Sequence, residues 1–98
     1  MATVQNDVKA GDWRTVFSMW GSGVKRRGVF TRPAGMQIKV RYGWGWFGRD
    51  RQKQTLDGIN PKTLSVGGVT TYLRVRFQVK VQSDTTIFWE HIIEGPQT

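Results

Sequence analysis

The longest regular pattern in this chain is an alternation of apolar and polar residues between positions 69 and 82. From residue 73 onward every second position is apolar, and these positions hold Leu73, Val75, Phe77, Val79 and Val81. A spacing of two is typical of a strand with one buried face, because a helix places its apolar residues three and four apart. The pattern predicts a strand whose odd-numbered side chains enter the core, with Met36, Ile38 and Val40 packed near them.

A second alternation, from residue 36 to residue 42, predicts another strand of the same kind. Met36, Ile38, Val40 and Tyr42 lie on one face, and Gln37, Lys39 and Arg41 lie on the other. One face is therefore expected in the core and the other in water, where it is cationic. Further strands are predicted over residues 13–20, whose two faces are both partly apolar, and over residues 63–66 and 85–93.

The segments between these strands carry turn signals. Lys25, Arg26 and Arg27 predict a basic turn, and residues 49–54, almost all charged or amide, predict a solvated loop. Residues 1–12 predict a polar N-terminal arm or an irregular first strand. Six to eight short strands joined by turns with Gly and Pro predict a single all-β domain over residues 1–98. We expect a small antiparallel β-sandwich of the jelly-roll or immunoglobulin-like type, with a small barrel as the alternative.

The composition excludes several chemistries. The chain has 98 residues, no cysteine and one histidine, His91, so disulfides, thiolate metal sites and a cysteine nucleophile are ruled out. The seven carboxylates are scattered singly, whereas acid–base catalysis uses paired carboxylates or a partnered histidine. We therefore expect no enzyme activity, no metal and no cofactor. No apolar run is long enough for a membrane helix or a secretory signal, which predicts cytoplasmic synthesis without membrane insertion.

The strongest positive signal is charge. Fifteen Lys and Arg against seven Asp and Glu give a net charge of +8, which favours an anionic partner. Arg74, Arg76 and Lys80 share one strand face with Tyr72, and Lys39 and Arg41 share the polar face of another strand. If the two strands are neighbours, five cations and an aromatic ring form one binding surface. The alternative is that these cations only keep the protein in solution and block edge pairing.

Glycine alternates with aromatic residues between positions 43 and 48. In a strand, Trp44 and Trp46 fall on one face, and the glycines leave the other face bare. Three interpretations stay open: a core plug at a bend of the sheet, packing between subunits, or a platform that stacks on a ligand.

These observations support two function hypotheses. The leading one is a non-catalytic structural or assembly subunit of a homo-oligomeric particle, such as a virion or phage component, whose partners are copies of itself. The alternative is a binding module for nucleic acid or acidic glycan that uses the basic, aromatic-bearing sheet face.

Overall fold

A computed structural model describes residues 2–20, 24–43, 48–67 and 74–96 of the protein. Within these residues the chain forms strands and turns. The eight strands are β1 (Ala2–Val8), β2 (Arg14–Trp20), β3 (Val24–Phe30), β4 (Gln37–Gly43), β5 (Arg49–Thr55), β6 (Lys62–Val66), β7 (Arg74–Lys80) and β8 (Thr85–Pro96).

The strands pair as if one long hairpin had been folded over on itself. β1 pairs with β8, β2 with β7, β3 with β6 and β4 with β5, all antiparallel. The pairs β3·β8 and β4·β7 join these ladders into two four-stranded sheets, in the orders β1-β8-β3-β6 and β2-β7-β4-β5. This nested order in two sheets is that of a jelly roll. The predicted β-sandwich is confirmed, and the described strands do not close into a barrel.

The core lies between the two sheets and contains the residues that the alternations predict. Val75, Phe77 and Val79 of β7 are fully buried, as are Ile38 and Val40 of β4. Met36 and Val81 are buried at the ends of these strands, whereas Leu73 lies outside the described residues. From the opposite sheet, Trp89 stacks on Phe30 with ring centroids 5.1 Å apart.

Three local predictions need correction. Lys25, Arg26 and Arg27 lie within β3, not in a turn: all three pair with β8, and Arg26 and Arg27 also pair with β6. Residues 49–54 belong to the edge strand β5, not to a loop. For residues 2–8, where an arm or an irregular first strand is predicted, the strand is correct: they form the edge strand β1 on β8 and not a polar arm. β1 and β5 are edge strands and so bury few side chains, which leaves little apolar alternation for a sequence pattern to reveal.

An irregularity in β5 ties the two sheets together at one side of the sandwich. Gln52 has a positive φ of 59° and lies where two residues of β5 oppose Lys39, as in a β-bulge. Its side-chain amide donates to the carbonyl of Ser65 at 2.7 Å and accepts from the amide of Ser65 at 2.9 Å. Gln54 donates to the carbonyl of Thr63 at 3.1 Å. These amides occupy backbone groups of β6 that would otherwise be an open sheet edge.

Among the residues described, no helix has the length and apolar character needed to span a membrane.

Candidate functional site: a cationic sheet face

The two strands that carry the predicted cations are neighbours in the sheet. Arg41 of β4 lies directly opposite Arg76 of β7, and Gln37 lies opposite Lys80. Residues that face each other in an antiparallel pair project from the same side of the sheet. Since Ile38, Val40, Val75, Phe77 and Val79 point into the core, the even positions of β7 and the odd positions of β4 point outward. We call this outer surface of the β2-β7-β4-β5 sheet the cationic face. Its basic residues are Lys39, Arg41, Lys53, Arg74, Arg76 and Lys80.

Two of the predicted cations are bound to one carboxylate. The Nζ atom of Lys39 lies 3.0 Å from Asp50 Oδ2, and the Nη1 atom of Arg41 lies 2.8 Å from Asp50 Oδ1. Partial burial acts to raise the pKa of Asp50, but the hydrogen bonds and charges of Lys39 and Arg41 outweigh that effect and lower it. Asp50 is therefore ionised at neutral pH. It also draws Arg41 toward β5 and so relieves the like-charge contact with Arg76.

Lys39 lies on the outer face of the sheet, as predicted, but it is buried and only 5% exposed. Its Nζ atom is 4.2 Å from the ring centroid of Trp13, which is also 5.6 Å from the Nζ of Lys53. Trp13 directly precedes β2, and β7 separates β2 from β4, so this contact spans an intervening strand. A Trp ring face attracts a cation. Trp13 and Asp50 together hold Lys39 as a structural cation of the face.

The remaining four cations are the ones available to a partner. Among the described residues, Lys53, Arg74, Arg76 and Lys80 form no ion pair. All but Arg76, which is partly exposed, are exposed. Adjacent cations without carboxylates generate a positive potential that attracts anions and raises their association rate.

The outer surface of the other sheet is different, because its charges are largely compensated. Glu94 lies 2.7 Å from the Nε of Arg27 and 3.5 Å from the Nζ of Lys25. Asp7 accepts a hydrogen bond from the hydroxyl of Thr86 at 2.7 Å. Phe88 is 59% exposed in the same surface. The net positive charge of the chain is thus concentrated on one of its two sheets.

The structure adds three residues to the site that the sequence patterns did not identify. Trp13 and Lys53 belong to the cationic face, and Trp20 is 60% exposed opposite Arg74. The alternation of residues 13–20 places Trp13 on the same face as Phe17. A register shift between Thr15 and Phe17 instead puts Trp13 on the opposite face. A bulge of this kind has no simple sequence signature. The predicted site residues Trp44, Trp46 and Tyr72 lie outside the described residues.

The acidic side chains Asp57 and Asp84 of the described loops accept hydrogen bonds from loop backbone. Asp57 accepts hydrogen bonds at 2.7 Å from the amides of Ile59 and Asn60, which lower its pKa to about 2. Asp84 accepts one at 2.8 Å from the amide of Ala10, which lowers its pKa. The described residues contain no group of three or more side chains suited to a metal ion. What the cationic face can do chemically is bind anions by charge and hydrogen bonding.

Comparisons of the chain with protein-family models, with curated proteins and with solved structures find no match.

Proposed function

We propose that this chain is a non-catalytic binding protein whose cationic face holds an anionic polymer. The observation that carries the proposal is the register of β4 and β7, which brings Arg41 opposite Arg76 and Gln37 opposite Lys80 on one outer surface. Cations spread along a sheet are suited to a repeating charge such as a phosphate backbone, since each contact releases condensed counterions. The compensated charges of the other sheet give the molecule a preferred side for the polymer.

The test compares two doubly substituted variants that lose the same charge from different places. Arg76→Ser with Lys80→Ser removes two cations of the cationic face, and Lys9→Ser with Arg32→Ser removes two exposed cations that lie in loops. Binding of a fluorescent single-stranded oligonucleotide and of heparin is measured by anisotropy over a series of salt concentrations. The first variant should bind both polymers more weakly, and its log–log salt slope for the oligonucleotide should be smaller by about 1.4, because each lost contact contributes ~0.7.

The Lys9 and Arg32 variant should retain most of the affinity. Equal losses in the two variants would mean that only net charge matters. Wild-type binding that ignores salt, or no binding to either polymer, would overturn the proposal.

A second candidate function is assembly with copies of the same chain, and the strand order favours it. The jelly roll is the architecture of many viral capsid domains and also of lectins, so a particle subunit such as a virion or phage component suits this topology. The exposed Phe88 gives the compensated sheet an apolar contact point. Assembly through that sheet leaves the cationic face open, so the two functions are compatible.

Sedimentation velocity at micromolar concentration, with and without heparin, tests assembly. We expect oligomers in the wild type and a shift to monomer in Phe88→Ser, while Ile59→Ser, which alters an exposed loop residue, should change nothing. Replacing Trp44 and Trp46 by Ala is the companion experiment for the other predicted interface: a folded monomer supports packing between subunits. A wild-type protein that is monomeric in both conditions would exclude the assembly function.

A further inference from the structure

One end of the cationic face carries a large aromatic ring held beside an arginine. Trp20, at the end of β2, pairs in register with Arg74, at the start of β7. The side chain of Trp20 is 60% exposed, whereas the inward residues of β2, Phe17 and Met19, pack against the core. The Cζ atom of Arg74 lies 5.8 Å from the ring centroid of Trp20. An indole on the outer face contributes nothing to the packing between the sheets, so its exposure is not explained by the fold.

Arg74 is positioned by a second contact. Its Nε donates a hydrogen bond at 2.8 Å to Ser18 Oγ, and Ser18 lies two residues before Trp20 on the same face. With Nε engaged and the guanidinium over one face of the ring, the side chain has already lost much of its rotational freedom. Among the described residues, the two terminal nitrogens of Arg74 have no hydrogen-bond partner. They are available to an oxyanion in the paired geometry that guanidinium and phosphate favour.

We propose that Trp20 stacks on a nucleobase while Arg74 binds the adjoining phosphate, so that the anionic polymer is single-stranded nucleic acid. This inference rests on the proposed function and names its ligand. Stacking on an aromatic side chain requires a base that is not already stacked in a duplex, and every base offers a flat π face. A highly sulfated glycan ring carries anionic groups on its rim and offers the indole a poorer flat surface.

The other unpaired cations of β7 extend this site into a track. Arg76 and Lys80 follow Arg74 on the same face of the strand. At ~3.3 Å per residue, Arg74 and Lys80 are about 20 Å apart. A strand whose base is anchored on Trp20 can therefore continue along β7 with its phosphates beside cations. Stacking defines where the polymer begins on the face, and charge keeps the rest in place.

The experiment separates stacking from charge with four ligands of matched length: oligo(dT), an abasic oligonucleotide, a DNA duplex and a heparin oligosaccharide. Trp20→Ala should weaken oligo(dT) binding by about 5- to 140-fold, the range that the loss of one stacked base implies. Binding of the abasic oligonucleotide and of heparin should stay within about twofold. Trp20→Phe retains a ring and should retain most of the affinity. Ile59→Ala, which removes an exposed apolar side chain from a loop, is the control and should have no effect.

Three results would overturn the inference. They are equal losses for oligo(dT) and the abasic oligonucleotide in Trp20→Ala, a larger loss for heparin than for oligo(dT), and duplex binding tighter than oligo(dT) binding in the wild type. None of these results removes salt-dependent binding through Arg76 and Lys80, so each leaves the proposed function standing. Thermal unfolding of both Trp20 variants verifies that they are folded, which the exposure of this side chain leads us to expect.

Discussion

The pair formed by Lys39 and Asp50 couples the stability of this fold to its binding surface, and Asp50→Asn tests that coupling. The Lys39 side chain is 7% exposed and the Asp50 side chain 40% exposed, with 3.0 Å between Nζ and Oδ2. Asp50→Asn leaves a desolvated ammonium facing a neutral amide. Removing one partner of a fully buried pair costs roughly 3–5 kcal/mol. Because water still reaches Asp50, we expect a smaller loss, about 2 kcal/mol, in the range of one charged hydrogen bond.

The assay is urea unfolding followed by tryptophan fluorescence, with the melting temperature as a second readout. In a domain of this size, a loss of about 2 kcal/mol lowers the melting temperature by roughly 8–16 °C. Glu90→Gln is the matched control, because it removes an exposed carboxylate of the other sheet and changes the net charge equally. Since the pKa of Asp50 is lowered in the folded protein, its stabilisation is present at neutral pH. It is lost as the pH falls below the ordinary carboxyl pKa of about 3.8.

A second substitution shows whether the loss of stability in Asp50→Asn comes from the buried lysine that has lost its partner. Lys39→Met keeps the length of the side chain and removes its charge, so the double variant with Asp50→Asn should be more stable than Asp50→Asn alone. Asp50→Asn should also raise the affinity for a polyanion, because it removes the carboxylate that neutralises Lys39 and Arg41. Unchanged stability in Asp50→Asn, or a double variant less stable than Asp50→Asn, would refute this account.

Three further predictions follow from single contacts. Gly28→Ala should cost ~1–3 kcal/mol in urea unfolding, because its Cβ would lie 2.9 Å from the ring of Phe77. Phe77→Leu in the same chain should restore part of the loss, and equal stability of Gly28→Ala and wild type would contradict the packing. Burial and a neighbouring arginine lower the pKa of His91, so the free energy of unfolding should decrease as the pH falls below about 6.5. His91→Gln should flatten that dependence, and an unaltered slope would count against it. Asp57→Ala should speed hydrogen exchange at the amides of Ile59 and Asn60, which donate hydrogen bonds to the Asp57 carboxylate. Unchanged exchange rates would show that the turn does not need this carboxylate.

The interior of the sandwich could be predicted from sequence because β4 and β7 are flanked by strands on both sides. Their inward residues are buried, except Tyr42 at the end of β4, which is partly buried. The pattern of two therefore survives, as Val75, Phe77 and Val79 show. The opposite holds for β5. This edge strand contains a bulge at Gln52 and exposes nearly all its side chains, and its charged composition resembles that of a loop.

The binding surface could be predicted only in part. The alternation predicted which cations point away from the core on each strand, but it could not show that Asp50 of β5 would neutralise Lys39 and Arg41. That contact depends on strand order, which local patterns do not encode. The same is true of Trp20, whose position beside Arg74 joins residues from distant parts of the chain.

The nested pairing of the strands also has a consequence for how this protein acquires its structure. Tyr42 and Arg49 pair across a short connection, whereas Val8 of β1 pairs with Thr85 of β8, which lies much later in the sequence. Bringing distant segments together has a loop-closure entropy that grows with their separation, and folds dominated by such pairings form slowly, in milliseconds to seconds. β8 lies between β1 and β3 and contributes Trp89 to the core. During translation, therefore, β1 has no partner in its sheet until β8 has left the ribosome. We expect the β2-β7-β4-β5 sheet to begin forming at the β4·β5 hairpin, with the sandwich closing only after synthesis of the last strand.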